Sequence, residues 1–166
     1  MVELANQTGT DPWFTLPHLA TPEYIQNFAA YVRDNLDPGL KAHFEYSNEV
    51  WNWQFDQAQW ADAQGKAQWP GAGDAWVQFY AGKAAEMAQI IDRVYGDQAD
   101  DRVVKVLATQ TGWLGLEDAI LNAPRWVAGN PGSSAPASYF DSYAVTGYFD
   151  GGLGRGDKPE LVKSWL

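Results

Sequence analysis

Four short apolar segments, each separated from the next by helix-patterned sequence, constrain this chain more than any other feature. Trp13–Pro17, Lys41–Tyr46, Arg102–Thr109 and Tyr139–Tyr148 read as strands. Between the first two, Thr21 is placed to cap a helix, Pro22 to occupy its first turn and Glu23 to meet its positive end. Ile25, Phe28, Ala29, Val32 and Leu36 then recur at helical spacing, and Asp37-Pro38-Gly39 ends the run. Phe55–Gln64 predicts a short helix, and Asp74 is expected to cap the longest one, which runs to Tyr95 before Gly96. Leu116–Val127 is a poorer helix interrupted at Pro124, and Glu160–Leu166 begins another. At the other end, Val2–Gln7 reads as the close of a helix with Gly9 as its left-handed cap. The order β-α-β-α-β-α-β predicts an α/β domain over residues 1–166, with about four parallel strands joined by right-handed crossovers.

Composition excludes several functions for such a domain. Eleven basic residues against twenty-one acidic ones give a net charge of −10, which disfavours nucleic acid and anionic membranes as partners. No apolar run approaches the ~20 residues of a membrane span. Without cysteine there are no disulfides or thiolate metal sites, and His18 and His43 are the only histidines, so neither a metal nor a cofactor is expected. Nine Trp, eight Tyr and seven Phe suit a cleft for sugars, whose C–H faces stack on indole, although the same residues also build cores.

Alternating strands and helices fit either a doubly wound open sheet or a (β/α) barrel. Nucleotide-binding open sheets carry a Gly-rich turn after the first strand, and neither G-x-G-x-x-G nor a P-loop occurs here; Gly151–Gly156 lacks the spacing. The informative stretch is Phe44-Glu45-Tyr46-Ser47-Asn48-Glu49-Val50-Trp51-Asn52. Strand alternation puts Ala42, Phe44 and Tyr46 on one side and His43, Glu45 and Ser47 on the other, with Glu49 continuing the second set just past the strand end. Barrel active sites are built at that end of the strands. A helix cap is the simpler use of Asn48 and Glu49, and it stands beside the chemical one.

The segment resembles the acid/base motif of the superfamily of retaining (β/α)8-barrel glycoside hydrolases, which includes cellulases, xylanases, mannanases and arabinofuranosidases. An Asn-Glu pair ends the fourth strand there. The resemblance implies a partial TIM barrel whose four strands are the third to sixth, lacking the first, second, seventh and eighth. It implies Glu49 as general acid/base and Asn48 as the partner of a sugar hydroxyl. Tyr148 would be the sixth-strand tyrosine that bonds the nucleophile, with Tyr143 as the other candidate. Trp51, Trp53 and Trp113 are candidate stacking platforms, and His18 a candidate cleft residue, although it could equally be bonded to backbone at a helix entry. The stretch from Asn6 to Trp53 is also similar to bacterial secreted proteins of this kind, which implies an extracellular or periplasmic setting. Retaining hydrolysis needs a second carboxylate about 5–5.5 Å from the first. The superfamily supplies it from the seventh strand, so the isolated chain is expected to be inactive. Its open sheet edges predict self-association. The alternative function is carbohydrate binding without catalysis.

Overall fold

The computed structural model describes residues 1–147, 156 and 158–164. Its centre is a four-stranded, all-parallel sheet in the order β1 (Trp13–Leu16), β2 (Ala42–Tyr46), β3 (Val103–Thr109) and β4 (Ser142–Val145). Each strand lies beside its predecessor, and the order never reverses. The helices are α1 (Val2–Thr8), α2 (Pro22–Asn35), α3 (Asp56–Gln68), α4 (Ala75–Tyr95), α5 (Ala99–Arg102), α6 (Leu116–Leu121), α7 (Pro124–Gly129) and α8 (Pro159–Lys163). No described helix is long and apolar enough to cross a membrane.

Local chemistry explains most boundaries. Gly9 ends α1 at φ 64°, a left-handed cap that costs glycine no Cβ clash. The Thr21 side chain accepts the Tyr24 N–H at 3.1 Å, with Pro22 in the first turn of α2. Asp74 occupies the N-cap position of α4, but its side chain makes no capping bond. Its carboxylate instead accepts from Gln78 Nε2 at 2.6 Å and Arg125 Nε at 3.2 Å. Gln78, fully buried, also accepts the Arg125 backbone N–H at 2.8 Å, so a polar group inside the core is satisfied at both ends. The fourth strand is shorter than its sequence suggests, because Pro136–Tyr139 forms a 3-10 turn ahead of it.

One side of the sheet carries the core. Phe14, Leu16, Ala42, Phe44, Tyr46 and Leu107 pack against Ile25, Ala29 and Val32 of α2, Met87 and Ile91 of α4, and Ile120 of α6. On the outer strand β1 and its neighbour β2 the alternate positions Trp13, Thr15, His43 and Glu45 are more exposed. Gly65 lets α3 cross α4 closely, since a Cβ there would lie 2.6 Å from the backbone of Ala75. That crossing carries the chain from the end of β2 to the start of α4.

Candidate functional site

The site begins where β2 stops. The Ser47 N–H donates to the Leu16 carbonyl at 2.7 Å, extending the β1–β2 pairing one residue past Tyr46. Ser47 (φ 62°) and Glu49 (φ 42°) then take left-handed conformations on either side of Asn48. Such conformations cost a non-glycine residue of order 1–3 kcal/mol and need surrounding structure to hold them. Here the Asn52 N–H donates to the Glu49 carbonyl at 2.8 Å, and Gln57 Nε2 donates to the Asn48 carbonyl at 2.7 Å, tying the loop to α3. The strand alternation breaks at Ser47, so the direction of Glu49 is set by the loop and not by the pleat.

Glu49 is half-buried, and its carboxylate accepts from Asn52 Nδ2 at 2.9 Å. It lies between two adjoining hollows over the C-terminal ends of β2, β3 and β4. The larger, about 360 Å³, is lined by Glu49, Trp51, Asn52, Trp53, Gln110 and Trp113. The smaller, about 120 Å³, shares Glu49 and Trp51 and adds Glu45, Asn48, Thr109 and Thr146. Together they form one groove at the strand ends, where α/β sheets place their ligands. Glu45 and Glu49 are its two acidic residues among those described.

The groove's aromatic wall is held by a third indole. Buried Trp76, at the start of α4, lies 5.0 Å from Trp53 and 5.6 Å from Trp113 between ring centroids. Trp53 and Trp113 remain 44% and 43% exposed, which leaves each a free edge or face toward a ligand. Trp51 is buried, and its indole N–H finds no hydrogen-bond partner among the described protein groups. Gln110 accepts from Thr146 Oγ1 at 2.7 Å and from the Gly112 N–H at 3.1 Å, so its carbonyl is occupied. Its amide N–H₂ is thereby the end left for a ligand.

Glu45 sits deeper. Trp13 Nε1 donates to it at 2.8 Å, and Trp13 stacks on His43 with centroids 5.4 Å apart. Burial raises the Glu45 carboxyl above the ordinary range, partly offset by the Trp13 N–H. Burial likewise raises the Tyr46 and Tyr80 hydroxyls, with Glu86 and Glu45 respectively adding to the effect, so both phenols stay protonated.

The residues singled out in the sequence divide into three groups. Glu49, Asn48, Trp51 and Trp113 meet in the groove. His18 stands apart, with its ring 5.3 Å from Trp60 of α3 and its carbonyl accepting the Tyr46 hydroxyl at 2.5 Å. Tyr148 lies outside the described residues. The other tyrosine candidate, Tyr143, lines a separate hollow with Leu107, Leu121 and Phe140. Thr146, which meets Gln110 from 36 residues away, and the bridging role of Trp76 carried no sequence signal because their partners are distant in the chain, whereas Asn52 bonds Glu49 only three residues away and lacked a pattern to mark it. No group of three or more His, Cys, Asp or Glu among the described residues could hold a metal ion. Comparison with known protein families, with curated proteins and with solved structures finds no match.

Proposed function

We propose that this chain carries the acid/base half of a retaining glycoside hydrolase built on a (β/α)8 barrel. The observation that carries the reading is Glu49, set just past the C-terminal end of a parallel strand inside a groove walled by Trp51, Trp53 and Trp113. The strand order without reversal supports a barrel over a doubly wound sheet, whose order must turn back at a switch point. In this reading Glu49 protonates the glycosidic oxygen as it leaves, then takes a proton from the water that releases the sugar. Asn48 and the Gln110 amide bond sugar hydroxyls, and the indoles stack on the ring faces. A ligand oxygen reaching the Trp51 N–H would relieve the roughly 1–3 kcal/mol that an unpaired buried donor costs. Glu45, held by Trp13, is given no catalytic role, and the resemblance would place the nucleophile on the superfamily's seventh strand. The substrate is an oligo- or polysaccharide of an extracellular or periplasmic setting, and the unpaired edges of β1 and β4 favour self-association of the isolated chain.

The test is the leaving-group dependence of hydrolysis by the full gene product. Glu49→Gln should lose far more rate on aryl glycosides with poor leaving groups than on those with good ones, because only the former need protonation. An equal loss on both, or none, would remove Glu49 from the acid role.

A second reading, carbohydrate binding without hydrolysis, is favoured by the way both groove glutamates are engaged by fixed donors, Glu49 by Asn52 and Glu45 by Trp13. Sugar binding with no turnover by the full gene product would select it.

A further inference from the structure

A second ligand-shaped feature lies away from the groove. The face of α4 opposite Met87 and Ile91 carries Phe79, Gly82, Lys83, Glu86, Gln89 and Arg93, which fall within one arc of the helix. With Trp126 and Asn130 of the following α7 segment they line a trough of about 440 Å³. Phe79 to Arg93 is fourteen residues along α4, or about 21 Å, so the feature is elongated.

Its construction is specific. Gly82 is a notch: a Cβ there would come 2.3 Å from Trp126 Cδ1 and 2.4 Å from Nε1, so the indole is seated against bare backbone. Gln89 uses its amide N–H on the Ala85 carbonyl at 3.2 Å, and Asn130 uses its own on the Trp126 carbonyl at 2.7 Å. Both side-chain carbonyl oxygens are left as acceptors, which calls for a ligand rich in hydroxyl donors. Lys83 pairs with Glu86, whereas Arg93 has no ion pair or hydrogen bond among the described residues. An unpaired guanidinium in a chain of net charge −10 invites a carboxylate, which it can bond through two parallel N–H groups. Glu86 and the chain's overall charge oppose a more densely charged group such as a phosphate ester.

We propose that this trough binds an oligosaccharide containing uronate residues: sugar hydroxyls on Gln89 and Asn130, a ring face on Trp126 and a carboxylate on Arg93. The site is separate from the groove and does not depend on Glu49 being catalytic.

Calorimetric titration of the chain with a galacturonate trimer, and with a neutral galactose trimer as control, tests it. The acidic trimer should bind at least about tenfold more tightly than the neutral one, and less tightly as salt is raised. Arg93→Gln, at an exposed position, should lower affinity for the acidic trimer by about fivefold or more. Trp126→Phe should weaken both sugars. The proposal is overturned if the folded wild-type chain binds no acidic trimer at millimolar concentration, if the two trimers bind alike, or if Arg93→Gln is silent. Loss of binding in Trp113→Ala would also overturn it, by putting the acidic sugar in the strand-end groove.

Discussion

The strand-end groove and the helix-side trough use the same materials, indole and amide, in two different geometries. In the groove, three strands end together and their loops aim side chains inward, so Glu45, Glu49, Gln110 and Thr146 converge on one volume. In the trough, one helix supplies a row of groups about a turn apart, and no two cross a common centre. Charge separates the regions further, the groove lined by carboxylates and the trough by Lys83 and Arg93 beside a single Glu86. Support differs too, since the groove's exposed indoles lean on Trp76 and the trough's Trp126 leans on a missing side chain. Convergence is what bond cleavage requires, and a row of contacts is enough for holding a chain.

The sharpest way to break that division is Glu49→Gln. Removing a positioned general acid costs typically 10²–10⁴-fold, and that loss should appear in hydrolysis of glycosides with poor leaving groups by the full gene product. Sugar affinity at the trough should be untouched. A variant that lost trough binding along with turnover would mean that the two regions form one site.

Next in size are two glycine substitutions that test how each region is built. An alanine Cβ at Gly65 meets the Ala75 backbone at 2.6 Å, and backbone cannot step aside. Gly65→Ala should cost about 1–3 kcal/mol, lowering the melting temperature by several degrees and loosening Trp76 beneath the groove. At Gly82 the obstacle is the Trp126 side chain, which can rotate, so Gly82→Ala should cost less stability while weakening trough binding. Thermal melts of the two variants decide this, and the reverse order would contradict it.

Smaller again is Trp113→Ala. Its indole is 43% exposed at the groove wall, so its loss should weaken sugar binding there by about tenfold or less, the scale of one aromatic contact. Unchanged affinity would leave Trp113 as a surface indole braced by Trp76 and nothing more.

These contrasts also mark what the sequence could reveal. The strands and principal helices were legible because each has a period of its own, and the caps at Gly9 and Thr21 because their geometry demands those residue types. Glu49 stood out because a carboxylate follows a strand end in aromatic company. The reason for its direction was hidden: alternation carried past Tyr46 would continue the pleat, yet Ser47 and Glu49 take left-handed conformations that no local pattern announces. Asp74 is the N-cap residue the sequence points to, but its carboxylate serves Gln78 and Arg125 and not the helix N–H groups, and Arg125 is 51 residues away. Trp76 reads as one more residue on a helix stripe, and only the fold brings residues 53, 76 and 113 together. Gly82 and Trp126 form a lock whose two halves carry no sign of each other in sequence.

The smallest effect expected concerns Glu45, the deeper of the groove's two carboxylates. Its burial raises its folded-state value above the ordinary one, so the folded chain holds that proton more tightly than the unfolded chain. The associated stability is therefore fully present below the unfolded-state range of a glutamate, about 4.3, and is lost as pH rises through the raised folded value. Glutamine at this position keeps an oxygen to accept the Trp13 N–H, now at 2.8 Å, but never has to be buried as an anion. Glu45→Gln should accordingly be more stable than the wild type at neutral pH, with the advantage shrinking as the solution is acidified toward that range. Denaturant unfolding of both chains across the acid-to-neutral interval measures it. A difference that is independent of pH, or a wild type that is the more stable at neutral pH, would show that the Trp13 N–H outweighs burial and that the floor of the groove is built to hold a charge.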